Sequence, residues 1–279
     1  MARHSDGRCV VTSRTLVAVH AHPDDEAIFT AGATLWAQAQ GYRTVLLTCT
    51  NGRLGIDPQG RGGDVVGHDS EATRARRATE LREAAVAAGI DRLVMLDYDD
   101  SGMAGWPGSD APAVFTSQRV ASVAERIAAL LREESAEVVL TYDPNGFYGH
   151  PDHIMTHRAT MAAVQDAPTV QRVYYPVLPH HVVALARELG ESHGIAVPAW
   201  VRDAQGVADS DIDVTLPTAS FSPRKQLAIA LHASQIDNAE IVGLEPLRFE
   251  SLFGTEYYQR GWSRGEVTGD QNDLFGGMT

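Results

Sequence analysis

TLVAVHAHPDDEAIF, residues 15–29, joins an uninterrupted apolar run to two histidines and three carboxylates crowded between His20 and Glu26. A run of consecutive apolar residues with no polar alternation reads as a strand buried on both faces. Pro23 suits the first turn of a helix, because its missing N–H would be unpaired there anyway. Acidic residues at that position face the positive end of the helix dipole. The stretch therefore predicts a strand, a tight polar corner, and a helix from about Asp25 to Gln40, stopped by Gly41.

The same alternation continues outward. RTVLLTC (43–49), RLVML (92–96), EVVLTY (137–142) and RVYYPV (172–177) read as further strands. Helical patterns fall between them, at about 70–88, ending at Gly89, and at about 117–134. Short apolar strands separated by helices imply a Rossmann-like, doubly wound α/β fold with a mostly parallel sheet. Beyond His180 the pattern loosens, although DIDVTL (211–216) followed by SPRKQLAIALHASQ still suggests a strand and a helix. A single domain over 1–279 is expected, with a core at about 15–178 and a C-terminal part at about 179–279 that shapes the substrate site.

Composition narrows the function. Acidic residues outnumber basic ones 36 to 23, a net charge of -13, and no basic stripe is present, so a nucleic-acid partner is not expected. No stretch approaches the roughly 20 apolar residues of a membrane span. The N-terminus lacks a secretory h-region and cleavage pattern. A cytoplasmic chain with Cys9 and Cys49 reduced is the expectation, with homo-oligomerisation left open.

In parallel sheets ligands bind outside the carboxyl ends of the strands, and the polar clusters all follow strands. His22 and Asp25, three apart across a first helical turn, can point into one space, and imidazole and carboxylate suit a zinc ion. The bland alternative is a charged helix cap. A second cluster, TYDPNGFYGHPDH (Thr141–His153), follows EVVLTY and carries Asp143, Tyr148, His150, Asp152 and His153. Two such loops at one sheet edge favour a metal site with an open position for water. Spacing leaves the third ligand open among His150, His153 and His157. Two long Gly/Pro-rich loops, Asn51–Asp69 and Asp97–Thr116, leave the same edge and are expected to cover the substrate; insertions without function are the alternative. His20 reads as a packed, hydrogen-bonded histidine, Asp152 as either a carboxylate orienting a ligand histidine or an N-cap, and His180–His181 as a loop or helix-cap pair. HASQ (232–235) brings His232 or Gln235 to the site or else lies on a surface helix.

AHPDDE, followed by a small-residue helix, and GHPDH further on resemble the PIG-L/LmbE-like zinc de-N-acetylases. The pattern is closest to the mycothiol-pathway N-acetylglucosaminyl-inositol deacetylase and mycothiol S-conjugate amidase subgroup. TYDPNGFYGHPDH and DSGMAG (Asp100–Gly105) carry most of this, with RATEL (77–81) and HASQ adding shorter matches. The resemblance implies zinc held by His22, Asp25 and His153, with Fe²⁺ suiting the same ligands, and Asp24 as general base. It also implies His150 as oxyanion stabiliser or leaving-group acid, Tyr148 polarising the amide carbonyl, and Arg77 and Asp100 contacting sugar hydroxyls. The expected reaction is removal of an N-acetyl group from an N-acetylglucosamine-type glycoconjugate, a small amino-sugar substrate. An amidase acting on mycothiol S-conjugates is the second enzyme reading, and a non-catalytic sugar- or metal-binding protein the third. After the aspartates the subgroup has ES where this chain reads EAIFTAGATL, and residues 180–210 do not align with it. The substrate therefore stays open, with an amino-sugar intermediate of antibiotic biosynthesis fitting the same chemistry.

Overall fold

The computed structural model describes residues 14–193, 201, 206–269 and 271–278. Strand β1 (Thr15–His20) is buried along its whole length. Successive side chains on a strand point to opposite faces, so Leu16 and Ala18 enter one apolar core and Val17 and Val19 the other. Fully burying such a side chain contributes about 1.5–3 kcal/mol, and both faces of the sheet must be covered to collect it.

Helices supply that cover. Helices α1 (Asp25–Phe29) and α2 (Ala31–Ala39) follow β1, and β2 (Arg43–Thr50) lies parallel beside it, Val17 in register with Val45. Next come α3 (Ser70–Ala87), β3 (Arg92–Tyr98), α4 (Val120–Glu133), β4 (Val138–Leu140), the single turn α5 (Gly146–Gly149) and α6 (Pro151–Gln165). Strand β5 (Arg172–Val177), α7 (His180–His193), β6 (Val214–Pro217), α8 (Ser222–Leu231) and β7 (Thr255–Ser263) complete the elements used below. Sheet order is β3-β2-β1-β4-β5-β7-β6. The first five strands are parallel, while β7 runs antiparallel to both β5 and β6. The expected mostly parallel sheet flanked by helices is what forms. The chain leaves β1 for β2 on one side and returns to β4 on the other, so the topological switch point lies between β1 and β4.

Three readings of the sequence need correction. The helix expected over 25–40 is two helices, broken at Thr30 (φ −139°). The cause is Glu256, whose buried carboxylate accepts from Gly32 N (2.7 Å) and Ala33 N (2.8 Å) and so caps a fresh helix start. Only glycine fits at 32, since a Cβ there would lie 2.6 Å from Glu256 Oε1. The strand expected over 137–142 shrinks to three residues, because beyond Leu140 the chain turns into the site, keeping only the Thr141 N–Tyr174 O bond of 3.0 Å. Strand β7 was not anticipated, although its first residues alternate, with Glu256 and Tyr258 buried.

Candidate metal centre

His22 and Asp25 follow β1, while His150 and His153 follow β4, so the switch point brings the two sequence motifs together. His22 Nδ1 and His153 Nε2 lie 3.3 Å apart. His153 Nε2 is 3.4 Å from Asp25 Oδ1, and His22 Nδ1 is 3.4 Å from Asp25 Oδ2. A tetrahedral ion with bonds of about 2.0–2.1 Å needs ligand atoms roughly 3.3–3.4 Å apart. The spacing of the two histidine nitrogens fits that geometry, Asp25 meets the pair with one oxygen towards each, and all three residues are buried.

Each member is held from outside. His22 Nε2 faces Asp152 Oδ2 at 3.2 Å, which leaves Nδ1 to present its lone pair inward. Asp152 also accepts from Ser101 N (3.0 Å), so it orients His22 rather than capping α6. That cap is His150, whose Nδ1 accepts from Asp152 N at 3.1 Å. Asp25 Oδ2 accepts from His22 N (2.8 Å) and the Tyr142 hydroxyl (2.6 Å). The Tyr142 ring stacks on His153, 4.0 Å between centroids and 11° from parallel. Tyr142 was missed from sequence, although it stands in the second motif. His20 is packed as expected, its ring nitrogens 3.2 Å from the Tyr142 hydroxyl and 2.8 Å from Thr30 Oγ1. Burial pushes its pKa down to about 4.

Other donors gather around His22. His150 can join His22 and His153, and Asp100 and Asp152 approach the outer side of His22. On that outer side the carboxylates already accept backbone N–H groups, from Gly102 (2.8 Å) to Asp100 and from Ser101 to Asp152. His157 lies elsewhere, with Nδ1 2.9 Å from Tyr142 O and its ring against Tyr175.

Charge in the cluster is arranged in opposing pairs. Burial penalises ionised Asp25, yet His153 and His22 outweigh it and hold the carboxyl well below the usual range. Burial likewise disfavours charged His22, but Asp100, Asp152 and Asp25 carry its pKa upward. His150 moves the other way, pushed well down by burial and by the neighbouring histidines.

Asp24 takes no part in the triangle. Its backbone adopts φ 137°, a conformation L-residues rarely take. Arg77 Nη2 lies 3.2 Å from Asp24 Oδ1 and also donates to Pro23 O, while Nη1 donates to Gly52 O at 2.9 Å. Burial raises the Asp24 pKa to about 6, against the lowering pull of Arg77. The guanidinium assigned by resemblance to sugar binding thus already holds Asp24 and two carbonyls. Glu26, read from sequence as a helix starter, accepts from Asp24 N at 3.1 Å and sits 2.6 Å from His232 Nε2. That partnership was also missed, beyond the suspicion that HASQ approaches the site.

A cavity of about 270 Å³ opens onto these residues, lined by Asp24, Asp25, Arg77, Asp100, Tyr148 and His150 among others. Both long loops contribute to its wall, Leu54 and Ile56 from one, Met103 and Trp106 from the other. They are ordered by carboxylates. Asp57 accepts from Gln59 N, Arg61 N, Arg61 Nε and Asp69 N at 2.8–3.1 Å, and Asp99 ties Asn51 (3.0 Å) to Arg53 (2.8 Å). Among the described residues no helix is long and apolar enough to cross a membrane.

Comparison with known proteins identifies the family and the fold. A family model described as PIG-L, GlcNAc-PI de-N-acetylase, matches residues 17–164. The chain is 34% identical to the 1D-myo-inositol 2-acetamido-2-deoxy-α-D-glucopyranoside deacetylase of Acidothermus cellulolyticus over 280 residues, 95% of each chain. It is also 34% identical to the protein of the same name from Geodermatophilus obscurus, covering 95% of this chain and 98% of that one. Among solved structures, the N,N'-diacetylchitobiose deacetylase of Pyrococcus horikoshii superposes with a TM-score of 0.55 at 18% identity, covering 89% of this chain and 84% of the other, which supports the fold.

Proposed function

The chain belongs to the PIG-L family of GlcNAc-PI de-N-acetylases, and from that premise we propose that it is a metal-dependent hydrolase of N-acetylglucosaminyl glycoconjugates, releasing acetate and a free amine. The first candidate substrate is 1D-myo-inositol 2-acetamido-2-deoxy-α-D-glucopyranoside, the compound named for its relatives. The observation that carries the reading is a cluster of three buried donors, His22, Asp25 and His153, beside a second carboxylate, Asp24, that the cluster does not use. A binding protein would need the donors but not the spare base.

Zn²⁺ held by those residues would supply a Lewis acid for the acetamide carbonyl and lower the pKa of water from about 15.7 towards 7. Asp24, poised at a pKa of about 6, takes the proton of the attacking water. His150 has its Nδ1 engaged by Asp152 N–H, so Nε2–H is the donor it offers to the cavity. That suits hydrogen bonding to the oxyanion by a neutral imidazole, with the Tyr148 hydroxyl as second donor. Asp24 then returns its proton to the departing amine. Leu54, Met103 and Trp106 exclude water from one side of the cavity.

The test is amine release from the inositol glycoside, N,N'-diacetylchitobiose and a mycothiol S-conjugate, with purified Zn²⁺-loaded protein. Asp24→Ala is expected to keep one metal per chain and lose at least about 100-fold in kcat, the usual scale for removing a general base. Turnover unchanged in Asp24→Ala would sink the mechanism. Release only from the S-conjugate would replace deacetylation with amidase activity.

A further inference from the structure

His232 stands on the far side of the base from the metal-binding face. It follows α8, about 200 residues from the motif it touches, and both it and Glu26 are buried, 1% exposed each. Its Nε2 is 2.6 Å from Glu26 Oε1, while Glu26 Oε2 accepts the backbone N–H of Asp24 at 3.1 Å. The residue two positions after it is fixed as well. Ser234 N and Oγ both donate to the Glu80 carboxylate, at 2.9 and 2.5 Å, so this segment is pinned to α3 one turn beyond Arg77. Asp24 is therefore gripped twice, at its carboxylate by Arg77 and at its backbone by Glu26.

The double grip meets a physical need. A non-glycine residue at φ 137° relaxes unless its surroundings over-determine it. The i, i+2 bond from Asp24 N to Glu26 closes only while the Glu26 side chain folds back along its own helix start. A buried carboxylate does so only with a second donor to satisfy it, and His232 is the donor that reaches it from outside α1.

We propose that His232 is a positioning residue for the hydrolysis, acting through Glu26 to hold Asp24 in its strained, reaction-ready conformation. This rests on the reading of Asp24 as the base. His232 does not itself line the cavity; its backbone O accepts from the N–H of Gln235, which does, at 2.9 Å, and a side-chain substitution keeps that bond, so loss of the imidazole should impair the chemical step while sparing metal and substrate binding.

The experiment compares His232→Ala, His232→Gln, Glu26→Gln and Asp24→Ala, as full-length Zn²⁺-loaded proteins acting on the inositol glycoside. His232→Ala should lower kcat 10- to 100-fold with KM within about threefold and metal content unchanged. His232→Gln keeps an N–H that can reach Glu26 and should recover most of that loss. Glu26→Gln keeps an acceptor for Asp24 N–H and should fall between wild type and His232→Ala. An unchanged kcat in His232→Ala overturns the proposal. So does a His232→Gln variant as impaired as His232→Ala when both are folded by circular dichroism, and so does a loss confined to KM. If His232→Ala fails to fold, His232→Gln and Glu26→Gln decide by the same kcat-to-KM split. Activity retained in Asp24→Ala would instead strike down the underlying assignment of the base.

Discussion

Tyr142 serves two members of the cluster with one side chain, its hydroxyl on Asp25 and its ring on His153. This explains why β4 ends early: the backbone must bend for that side chain to reach under the site. At this scale the motifs were legible because their parts are local. His22 and Asp25 are three apart, and the spacing of GHPDH places His150 and His153 around one helix start. What stayed hidden are partners distant along the chain: Tyr142 to Asp25 across 117 residues and His232 to Glu26 across 206. Spacing also could not choose between His153 and His157, which the fold separates by turning one ring inward and leaving the other half-buried against Tyr175. We expect His153→Ala to weaken zinc binding by more than about 100-fold and His157→Ala to leave it stoichiometric, measured by metal analysis after dialysis. The reverse pattern would reassign the ligand set.

Elements carry the next level of dependence. Helix α2 begins where it does because Glu256 on β7 caps it, and Glu256 is in turn neutralised by Lys225 of α8 at 2.6 Å and bound by the Tyr258 hydroxyl at 2.6 Å. Nothing in residues 25–40 signals a break at Thr30, because the cause, Glu256, sits 224 residues beyond Gly32. Replacing Glu256 with alanine leaves Lys225, 2% exposed, as an uncompensated buried charge and exposes two helix N–H groups. We expect Glu256→Ala to lower stability by about 3–5 kcal/mol, and Glu256→Gln by less because its amide oxygen still caps. Urea unfolding measures both, and equal losses would show that the cap contributes nothing. The long loops were legible as neighbours of the site from their place at the sheet edge, and both line the cavity. Their order was not, since it depends on Asp57 collecting four donors.

For the whole molecule, the parallel core was readable because each strand is a continuous apolar run, a pattern that only a doubly covered sheet rewards. The far edge was not, because β6 and β7 are short or half-exposed and antiparallel, and their pattern resembles that of surface hairpins. That edge supplies Glu256, and the chain between its strands supplies Lys225 and His232, so the C-terminal third is bound into the active-site architecture. One consequence concerns heat tolerance. Asp24 occupies a backbone conformation that glycine adopts freely, and its carboxylate sits where burial raises the pKa to about 6. A carboxyl with a folded pKa above its unfolded value of about 3.9 removes stability as pH rises between those two values. Asp24→Gly would relieve both burdens, and against that gain stands the loss of the carboxylate facing buried Arg77, which keeps its two carbonyl partners. We expect this variant to be inactive yet to melt a few degrees higher than wild type at pH 7, by scanning calorimetry; a lower melting temperature would mean that the Arg77 ion pair outweighs the strain. Selection for thermal robustness alone would thus drift towards loss of the base, and any screen for sturdier forms of this enzyme has to score turnover alongside survival.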